Sequence, residues 1–374
     1  MKVLLLCWRD TTHPQGGGSE RYLERVGHYL AGQGHEVIFR TAAYPGAASR
    51  ERRDGILFSR AGGKYTVYLR ALAAMAAGRL GFGPLAGVDV VVDTQNGIPF
   101  FARTLAGVPT ILLTHHCHRE QWPVAGRLVG AVGWLLESRV SPLVHRGAQY
   151  VTVSENSRAE LIELGVRAED IEVIANGVDP VPTPATAQTA QTAPAPSTHL
   201  VTLSRLVPHK QIEHAMDVLP TLDEEVVLDV IGSGWWEEEL RAHAAARGLK
   251  HRVIFHGQVS EADKHALLSR ATLHLMPSRK EGWGLAVIEA AQHGVPTIGY
   301  AAAGGLRDSI EDGGTGRLVA DAAELAAVTR ELLADAAQRR RLGENARRHA
   351  ARYSWETTGR QFAELLERCA RTRR

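Results

Sequence analysis

Two series of short apolar runs, each run followed by a helical pattern, constrain the fold of this chain more than any other feature. The first series predicts strands at 3–8, 36–41, 88–93, 110–114, 150–154 and 171–174. The second series predicts strands at 200–203, 226–232, 252–257, 273–276 and 297–300. Strands that alternate with helices form parallel sheets, so the sequence predicts two α/β domains.

A stretch of Pro, Ala and Thr residues at 180–198 separates the two series. It has almost no apolar side chains with which to build a core, and this composition is typical of a linker or a mobile loop. The predicted organisation is an N-terminal domain at 1–179, a linker at 180–198, a second domain at 199–353 and a C-terminal helix at 354–374.

The composition narrows the class of protein. A chain of 374 residues with 44% hydrophobic and 22% charged residues is expected to form two soluble globular domains. The net charge is only +2, which gives no indication of a nucleic-acid partner. Three scattered cysteines favour a reducing, cytoplasmic compartment over a disulfide framework. The sequence also lacks the run of about 18 apolar residues that a membrane-spanning helix needs.

Two acidic residues, Glu281 and Glu289, frame a Gly/Trp turn and the start of a predicted helix, just after the strand at 273–276. Eight residues at about 1.5 Å each separate them by roughly 12 Å. This distance disfavours a glycosidase pair, which needs about 5–9.5 Å. The spacing suits two carboxylates that accept hydrogen bonds from separate hydroxyls of one long polyol, such as a nucleotide sugar. The alternative is a loop glutamate plus an ordinary helix-surface glutamate.

Cationic residues follow the predicted strand at 200–203. Ser204, Arg205 and Lys210 come after its carboxyl end. An arginine can bind phosphate oxygens through its planar fork, and a lysine can act as a point charge. These residues could hold a diphosphate, although a loop arginine and lysine on an ordinary surface would look the same.

Taken together, these segments and several glycine motifs occur in an order that resembles the family-4 retaining glycosyltransferases of the GT-B fold. The matching segments are Gly16 to Glu20, Asn176 to Asp179, Ser204 with Arg205 and Lys210, Glu281 to Glu289, Gly294 to Pro296, Gly304 to Leu306, and Gly313 to Gly316. Each segment is weakly specific alone, but together they run through nearly the whole chain.

The resemblance implies a fold and an activity. The fold would be two Rossmann-like parallel-sheet domains that face each other across a cleft, with the C-terminal helix crossing back to the first domain. The enzyme would take part in carbohydrate biosynthesis. It would transfer a sugar from a nucleoside-diphosphate sugar to an acceptor hydroxyl, with retention of the anomeric configuration.

The resemblance also implies residue roles. Arg205 and Lys210 would hold the donor diphosphate, Glu281 the donor sugar and Glu289 the ribose. A histidine near the reacting sugar would be His115 or His116; strand register favours His115, and a core or loop role is the alternative. The remaining expected donor-binding residues are Gly17, Gly18, Ser204, Gly282, Trp283, Gly284 and Leu285. Asn96 and Trp122 are candidates for the acceptor side.

Further expectations concern metals, cofactors and partners. The chain has no Asp-x-Asp motif, so no metal and no cofactor are expected besides the donor substrate. The acceptor could be a glycan, an aglycone or a lipid-linked sugar. Residues 330–374 contain twelve arginines and six acidic residues. This basic segment could contact the inner face of an anionic membrane, although a solvated helix face is the simpler interpretation.

Other functions remain open from the sequence. A GT-B-like sugar-nucleotide epimerase would share most of the motifs, as would a non-catalytic sugar-nucleotide-binding protein. An NADP-dependent oxidoreductase is also conceivable, because a glycine loop at 16–18 follows the first strand. That loop lacks the third glycine of the dinucleotide fingerprint, and Arg40 and Thr41 stand where an acidic residue would bind ribose.

Overall fold

The computed structural model describes residues 1–119, 122, 126–182 and 198–371. The chain forms two compact units. Unit 1 comprises Met1–Gly177 and Ser354–Arg374, and unit 2 comprises Val178–Tyr353. Most of the predicted linker at 180–198 lies outside the described residues.

Unit 1 is built on an eight-stranded sheet with the order β3-β4-β2-β1-β5-β6-β7-β8. All neighbouring strands are parallel except β3 and β4, which form an antiparallel pair at one edge. The strands are β1 (Lys2–Leu6), β2 (Glu36–Thr41), β3 (Arg50–Arg53), β4 (Ile56–Arg60), β5 (Val90–Gln95), β6 (Thr110–Thr114), β7 (Gln149–Thr152) and β8 (Ile171–Val173).

Helices connect and cover these strands. They are α1 (Gly18–Gly32), α2 (Thr66–Arg79), α3 (Arg127–Leu135), α4 (Ser141–Val144), α5 (Glu155–Glu163) and, from the C-terminal segment, α13 (Trp355–Arg371). A π-helical segment, Leu136–Val140, joins α3 to α4.

Unit 2 is built on a six-stranded parallel sheet with the order β11-β10-β9-β12-β13-β14. Its strands are β9 (His199–Leu203), β10 (Val227–Ile231), β11 (Val253–Gly257), β12 (Leu273–Met276), β13 (Thr297–Tyr300) and β14 (Gly316–Val319). Its helices are α6 (Ile212–Met216), α7 (Glu237–Ala246), α8 (Glu261–Arg270), α9 (Leu285–Gln292), α10 (Leu306–Ser309), α11 (Ala322–Ala334) and α12 (Ala336–Ala350).

The prediction of two parallel α/β sheets is confirmed, and every predicted strand is present within two residues at each end. The sequence analysis did not predict the β3–β4 hairpin or β14. Strand β3 is Arg-Glu-Arg-Arg and has no apolar residue to indicate a strand. It forms because Asp54 and Gly55 both adopt positive φ (50° and 81°), as a two-residue hairpin turn requires.

The C-terminal helix belongs to unit 1, where α13 packs against α1. Its buried residues are Thr358, Gly359, Phe362, Leu365 and Leu366. The spacing of these residues places them on one face of the helix. Helix α13 therefore contributes to the core of the unit that contains the N-terminus.

The described helices include none that is both long enough and apolar enough to cross a membrane.

The packing of α13 can be tested with a single substitution. Phe362 is 0% exposed, and its ring meets the ring of Tyr22 edge-on, with 6.3 Å between the centroids. We expect Phe362→Ala to lower the free energy of unfolding by about 3–5 kcal/mol, because it leaves a cavity in the core. Urea denaturation of the whole chain measures this change.

Glu364→Ala on the same helix is the control. It removes only an exposed (i, i+4) ion pair with Arg360, which contributes about 0.2–0.5 kcal/mol. Equal midpoints for the two variants would show that α13 does not stabilise unit 1 through its apolar face.

Candidate active site

The candidate donor residues of unit 2 lie at one edge of its sheet. Ser204 follows β9, Pro277 follows β12 and Ala301 follows β13, and these three strands are parallel neighbours. The loops that leave their carboxyl ends therefore gather at the same edge. In open parallel sheets this edge is where ligands bind.

Close packing with a neighbouring turn fixes the loop that starts at Ser204. The Ser204 N–H donates to the Ile231 carbonyl at 3.1 Å, and the Leu206 N–H donates to the Ser233 carbonyl at 3.0 Å. A Cβ atom on Gly232 would lie 1.9 Å from the Ser204 carbonyl oxygen. The glycine turn after β10 is thus required by contact with this loop.

Within this loop, Ser204 and Arg205 are available for a ligand. The Ser204 hydroxyl is buried and has no hydrogen-bond partner among the described residues. Arg205 is exposed and forms no ion pair with any residue that the structure describes.

Lys210 and Glu281 form an ion pair, although 71 residues separate them in the chain. The Lys210 Nζ lies 2.5 Å from Glu281 Oε1, and both side chains are largely buried. The backbone of Glu281 is held on both sides, since its N–H donates to the Ala303 carbonyl and its carbonyl accepts from the Gly305 N–H. A lysine has three N–H donors, so this pair leaves Lys210 able to bind further acceptors.

His209 precedes Lys210 and connects its loop to the loop that follows β12. Its carbonyl accepts a hydrogen bond of 2.8 Å from the Arg279 N–H, which ties the two loops together. Burial, followed by the positive charge of Lys210, lowers the pKa of His209 to about 4. The imidazole is therefore neutral at pH 7, and the cationic charge of the loop comes from its lysine and arginine.

Glu289 is paired with a lysine that the sequence analysis missed. The Lys264 Nζ lies 2.7 Å from Glu289 Oε1 and 2.8 Å from Glu261 Oε2. Burial alone would lower the pKa of Lys264, but the charges and hydrogen bonds of the two glutamates outweigh burial and raise it. Nothing in the sequence around α8 distinguishes Lys264 from an ordinary surface lysine.

The turn between Glu281 and Glu289 leads into helix α9. The Trp283 ring is buried against Tyr353, edge-on at 4.8 Å between the centroids, so this side chain stabilises the unit's interior. Gly284 is the N-cap of α9 and Leu285 is its first residue. The first-turn N–H groups of a helix have no intrahelical partner and carry partial positive charge.

The glycine loop of unit 1 is held by Glu20 and Arg9. The Gly17 N–H donates to Glu20 Oε2 at 2.8 Å, and Arg9 pairs with the other oxygen at 2.9 Å. Gly17 is the N-cap of α1, and the Glu20 carboxylate accepts from the backbone N–H of Gly17. A Cβ on Gly18 would meet nothing within 4 Å, so this position is open.

Asn96 lies beside this loop. Its Nδ2 donates to the Ser19 Oγ at 3.1 Å. Asn96 follows β5, which is the neighbour of β1, so parallel pairing brings Asn96 to the residues that follow β1. Gly17, Gly18 and Asn96 are therefore close together in unit 1.

The two candidate histidines occupy different environments. His115 is 7% exposed, its ring meets Tyr22 edge-on, and its Nε2 has no partner among the described residues. Burial, followed by the charge of His118, lowers the pKa of His115 to about 4. His116 is half-buried, and its ring contacts that of His118 at 4.4 Å between the centroids.

A buried carboxylate that the sequence analysis missed organises the segment after the histidines. Glu137 accepts hydrogen bonds from the His118 N–H at 3.0 Å and from the Trp122 Nε1 at 2.5 Å. It belongs to the π-helical segment Leu136–Val140, and such segments are frequent at functional sites. Trp122 is thus anchored by its indole nitrogen.

The part of the chain that the structure describes contains no group of three or more His, Cys, Asp or Glu side chains placed to hold a metal ion.

Two family models match the chain in sequence. "Glycosyltransferase Family 4" matches residues 16–181, and "Glycosyl transferases group 1" matches residues 187–349. The two matches follow one another along most of the chain and correspond to the two units.

Individual proteins agree with this result. Glycogen synthase from Mycobacterium tuberculosis is 28% identical over 403 residues, which covers 98% of this chain and 94% of that protein. The structure of sucrose-phosphate synthase from Thermosynechococcus elongatus matches with a TM-score of 0.82 at 22% identity and covers 98% of both chains. HepE from Anabaena in complex with UDP matches with a TM-score of 0.76 at 20% identity, covering 98% of this chain and 100% of that one.

These structural matches confirm the GT-B fold, and the two family models identify the chemistry. The chain belongs to the family-4 glycosyltransferases of the GT-B fold, enzymes that use nucleoside-diphosphate sugars as donors.

Proposed function

We propose that this enzyme transfers a sugar, with retention of configuration and without a metal ion, from a nucleoside-diphosphate sugar bound in unit 2 to an acceptor hydroxyl bound at unit 1. The observation that carries the proposal is the convergence of Arg205, Lys210 and Glu281 at one edge of the unit 2 sheet. Glycogen synthase as a sequence relative and HepE with bound UDP support the donor class.

The leaving diphosphate would be stabilised by Arg205 and Lys210. As the bond between the anomeric carbon and the phosphate oxygen breaks, negative charge grows on the diphosphate. Fixed cations beside that charge lower the barrier by several kcal/mol. Because Glu281 holds Lys210 before the ligand arrives, the ammonium group is already in place for the diphosphate. Glu281 would thus have two roles, since it positions Lys210 and also hydrogen-bonds the donor sugar.

The acceptor would attack on the face that the leaving group vacates. The acceptor oxygen forms its bond to the anomeric carbon while the bond to phosphate breaks, and the acceptor proton passes to the departing phosphate oxygen. No protein nucleophile is needed in this scheme. The cations of the chain and the chain's lack of an Asp-x-Asp motif support metal independence.

Glu289 would bind the ribose hydroxyls. A carboxylate has about four lone-pair positions, so its contact with Lys264 does not exhaust its capacity to accept hydrogen bonds. Lys264 would fix the carboxylate in position, and it compensates part of the charge that Glu289 brings toward an anionic donor.

In unit 1 we propose that Gly17, Gly18 and Asn96 contact the acceptor or the donor sugar. The open space at Gly18 supports a close approach of a ligand to this backbone. Trp122 would present its ring to the acceptor while Glu137 holds its indole nitrogen.

Peripheral contact with the inner face of a membrane through the basic segment at 330–374 stays a prediction. Several of its arginines are occupied, since Arg368 pairs with Glu172 and Arg352 with Glu311. The apolar face of α13 is buried within unit 1 and is not available to lipid.

The first prediction of the proposed function concerns Lys210. We expect Lys210→Ala to lower kcat/KM at least about 30-fold, which corresponds to about 2 kcal/mol of lost transition-state stabilisation. Steady-state transfer or hydrolysis of UDP-glucose, the first donor to try, measures the effect. Lys250→Ala, which removes an exposed charge from the same unit, serves as the control. An unchanged kcat/KM for Lys210→Ala would show that Lys210 does not bind the diphosphate.

The second prediction concerns the Lys264–Glu289 pair. We expect Glu289→Ala and Lys264→Met each to weaken donor binding about tenfold or more, because the first removes a ribose acceptor and the second frees the carboxylate. In the double variant the two losses should not add, since both act through one carboxylate. Calorimetric titration with UDP measures the affinities, and fully additive losses would contradict the pairing.

The third prediction distinguishes the two histidines. We expect His115→Gln to lower kcat about tenfold through loss of a contact with the reacting sugar, and His116→Gln to have a smaller effect. Because the pKa of His115 is lowered to about 4, its ring stays neutral from pH 8 down to pH 5. The pH profiles of kcat for wild type and His115→Gln should therefore have the same shape over that range.

Two results would contradict this prediction. A larger loss for His116→Gln would transfer the role to that residue. An ionisation near pH 6.5 that disappears in His115→Gln would show that the ring titrates during turnover.

A further inference from the structure

Arg40 is a buried cation without a counter-charge. It lies near the carboxyl end of β2 and is 8% exposed. Its Nη1 donates to the Ser59 Oγ at 2.8 Å, while its buried Nε has no hydrogen-bond partner among the described residues. It forms no ion pair with any of those residues. Burying an unpaired charge is costly, so such a site is expected to receive an anion from elsewhere.

The strand register places a second arginine on the same face. Arg40 pairs with Ser59 across β2 and β4, and Ser59 pairs with Arg50 across β4 and β3. Side chains in register on neighbouring strands point to the same side of a sheet. With strands about 4.8 Å apart, the Cα atoms of Arg40 and Arg50 are roughly 10 Å apart, so two long side chains can reach one anion.

A third arginine comes from helix α2, which covers this face. Val67 and Ala71 of α2 pack in one apolar cluster with Ile38, two residues before Arg40 on β2. Arg70 is on the same helix. Burial, followed by the charges of Arg70 and Arg50, lowers the pKa of Arg40.

One acid, Asp93 of β5, lies on the same face of the sheet as Arg40, because both pair in register with Leu6 of β1. Its two oxygens accept hydrogen bonds from backbone N–H groups, and it forms no ion pair with Arg40. Residues 55–88 contain no Asp or Glu. The neighbouring Glu51 alternates with Arg50 along β3 and so belongs to the other face, where it pairs with Arg60 at 2.8 Å. The positive charge on the α2 side of the sheet is therefore uncompensated by this segment.

We propose that Arg40, Ser59, Arg50 and Arg70 form a binding site for a phosphate-type oxyanion carried by the acceptor. Guanidinium forks match the oxygens of a phosphate, and the Ser59 hydroxyl, which accepts from Arg40, retains a proton to donate. The site lies at the carboxyl edge of the unit 1 sheet, as does the glycine loop. The acceptor assignment rests on the proposed function, which places the acceptor at unit 1.

The anion site itself is tested without any transfer reaction. Thermal unfolding of the full chain is measured in millimolar inorganic phosphate and in sodium chloride at equal ionic strength, with UDP present throughout so that the proposed donor site is occupied. Phosphate should raise the Tm of the wild type by about 2 °C or more over chloride. Arg40→Met should lose this phosphate-specific rise while unfolding in chloride at the same temperature as the wild type or higher, because an unpaired buried charge is gone.

Two variants serve as controls. Arg79→Met neutralises an exposed arginine on the same helix, and Lys250→Ala removes an exposed charge from unit 2. Both should keep the phosphate response. No phosphate-specific rise in the wild type, or an equal rise in Arg40→Met, would overturn the site. Loss of the response in Arg79→Met would also overturn it, because the effect would then come from the general charge of α2.

The source of the anion is tested with two matched probe pairs. Glucose 6-phosphate is compared with glucose in calorimetric titrations, and vesicles of phosphatidylglycerol are compared with vesicles of phosphatidylcholine in flotation. If the sugar phosphate binds the wild type but not Arg40→Met, the acceptor is a soluble phosphorylated molecule. If the anionic vesicles bind the wild type but not Arg40→Met, the acceptor is a lipid. Binding of both phosphorylated probes that is unchanged in Arg40→Met would overturn the acceptor assignment.

A separate measurement distinguishes failure of the anion site at Arg40 from failure of the proposed function. Titration with UDP-glucose should give the same affinity for the wild type and Arg40→Met. Failure of the wild type to bind any nucleotide sugar, with an intact phosphate response at Arg40, would contradict the proposed function and leave the anion site standing.

Discussion

Parallel pairing of the strands is the constraint on which the candidate site depends. In each unit the carboxyl ends of the central strands lie at one edge, so loops far apart in the chain meet there. Lys210 follows β9 and Glu281 follows β12, and these strands are direct neighbours. This explains why the Lys210 Nζ and the Glu281 Oε1 lie 2.5 Å apart although the two residues are 71 positions apart in the sequence. In unit 1 the same rule brings Asn96 to Ser19. The chemistry at each edge thus follows from the order of the strands.

Ion pairing between lysines and glutamates fixes the side chains of the proposed donor site before a ligand arrives. Lys210 with Glu281 and Lys264 with Glu289 are largely buried pairs, in which each carboxylate offsets the cost of burying its lysine. Loss of one partner leaves a buried charge behind, so each pair responds as a unit. Preorganised charges need no rearrangement when negative charge develops on a leaving group, which is the condition for efficient electrostatic stabilisation.

Much of this fold could be predicted from the sequence, because buried parallel strands are continuous apolar runs and their ends are marked by polar loops. The β3–β4 hairpin was missed because Arg-Glu-Arg-Arg has no apolar pattern, although the Asp54-Gly55 turn carried the signal. Lys264 and Glu137 were missed for another reason. Their importance comes from partners on other elements, Glu289 and Trp122, and spacing along the chain does not encode such contacts. For Trp283 the motif indicated the ligand-binding turn, but whether the ring faces a ligand or Tyr353 depends on tertiary packing.

The two units also differ in whether their buried cations are paired with carboxylates. On unit 2 Lys210 and Lys264 are paired with glutamates, and the proposed diphosphate site depends on the remaining N–H donors of Lys210 and on exposed Arg205. On unit 1 the histidine at the edge is held neutral by burial, while Arg40 is buried without a carboxylate. An anion from solution would be stabilised most where the protein has left a cation unpaired, which is the physical basis of the site proposed at Arg40.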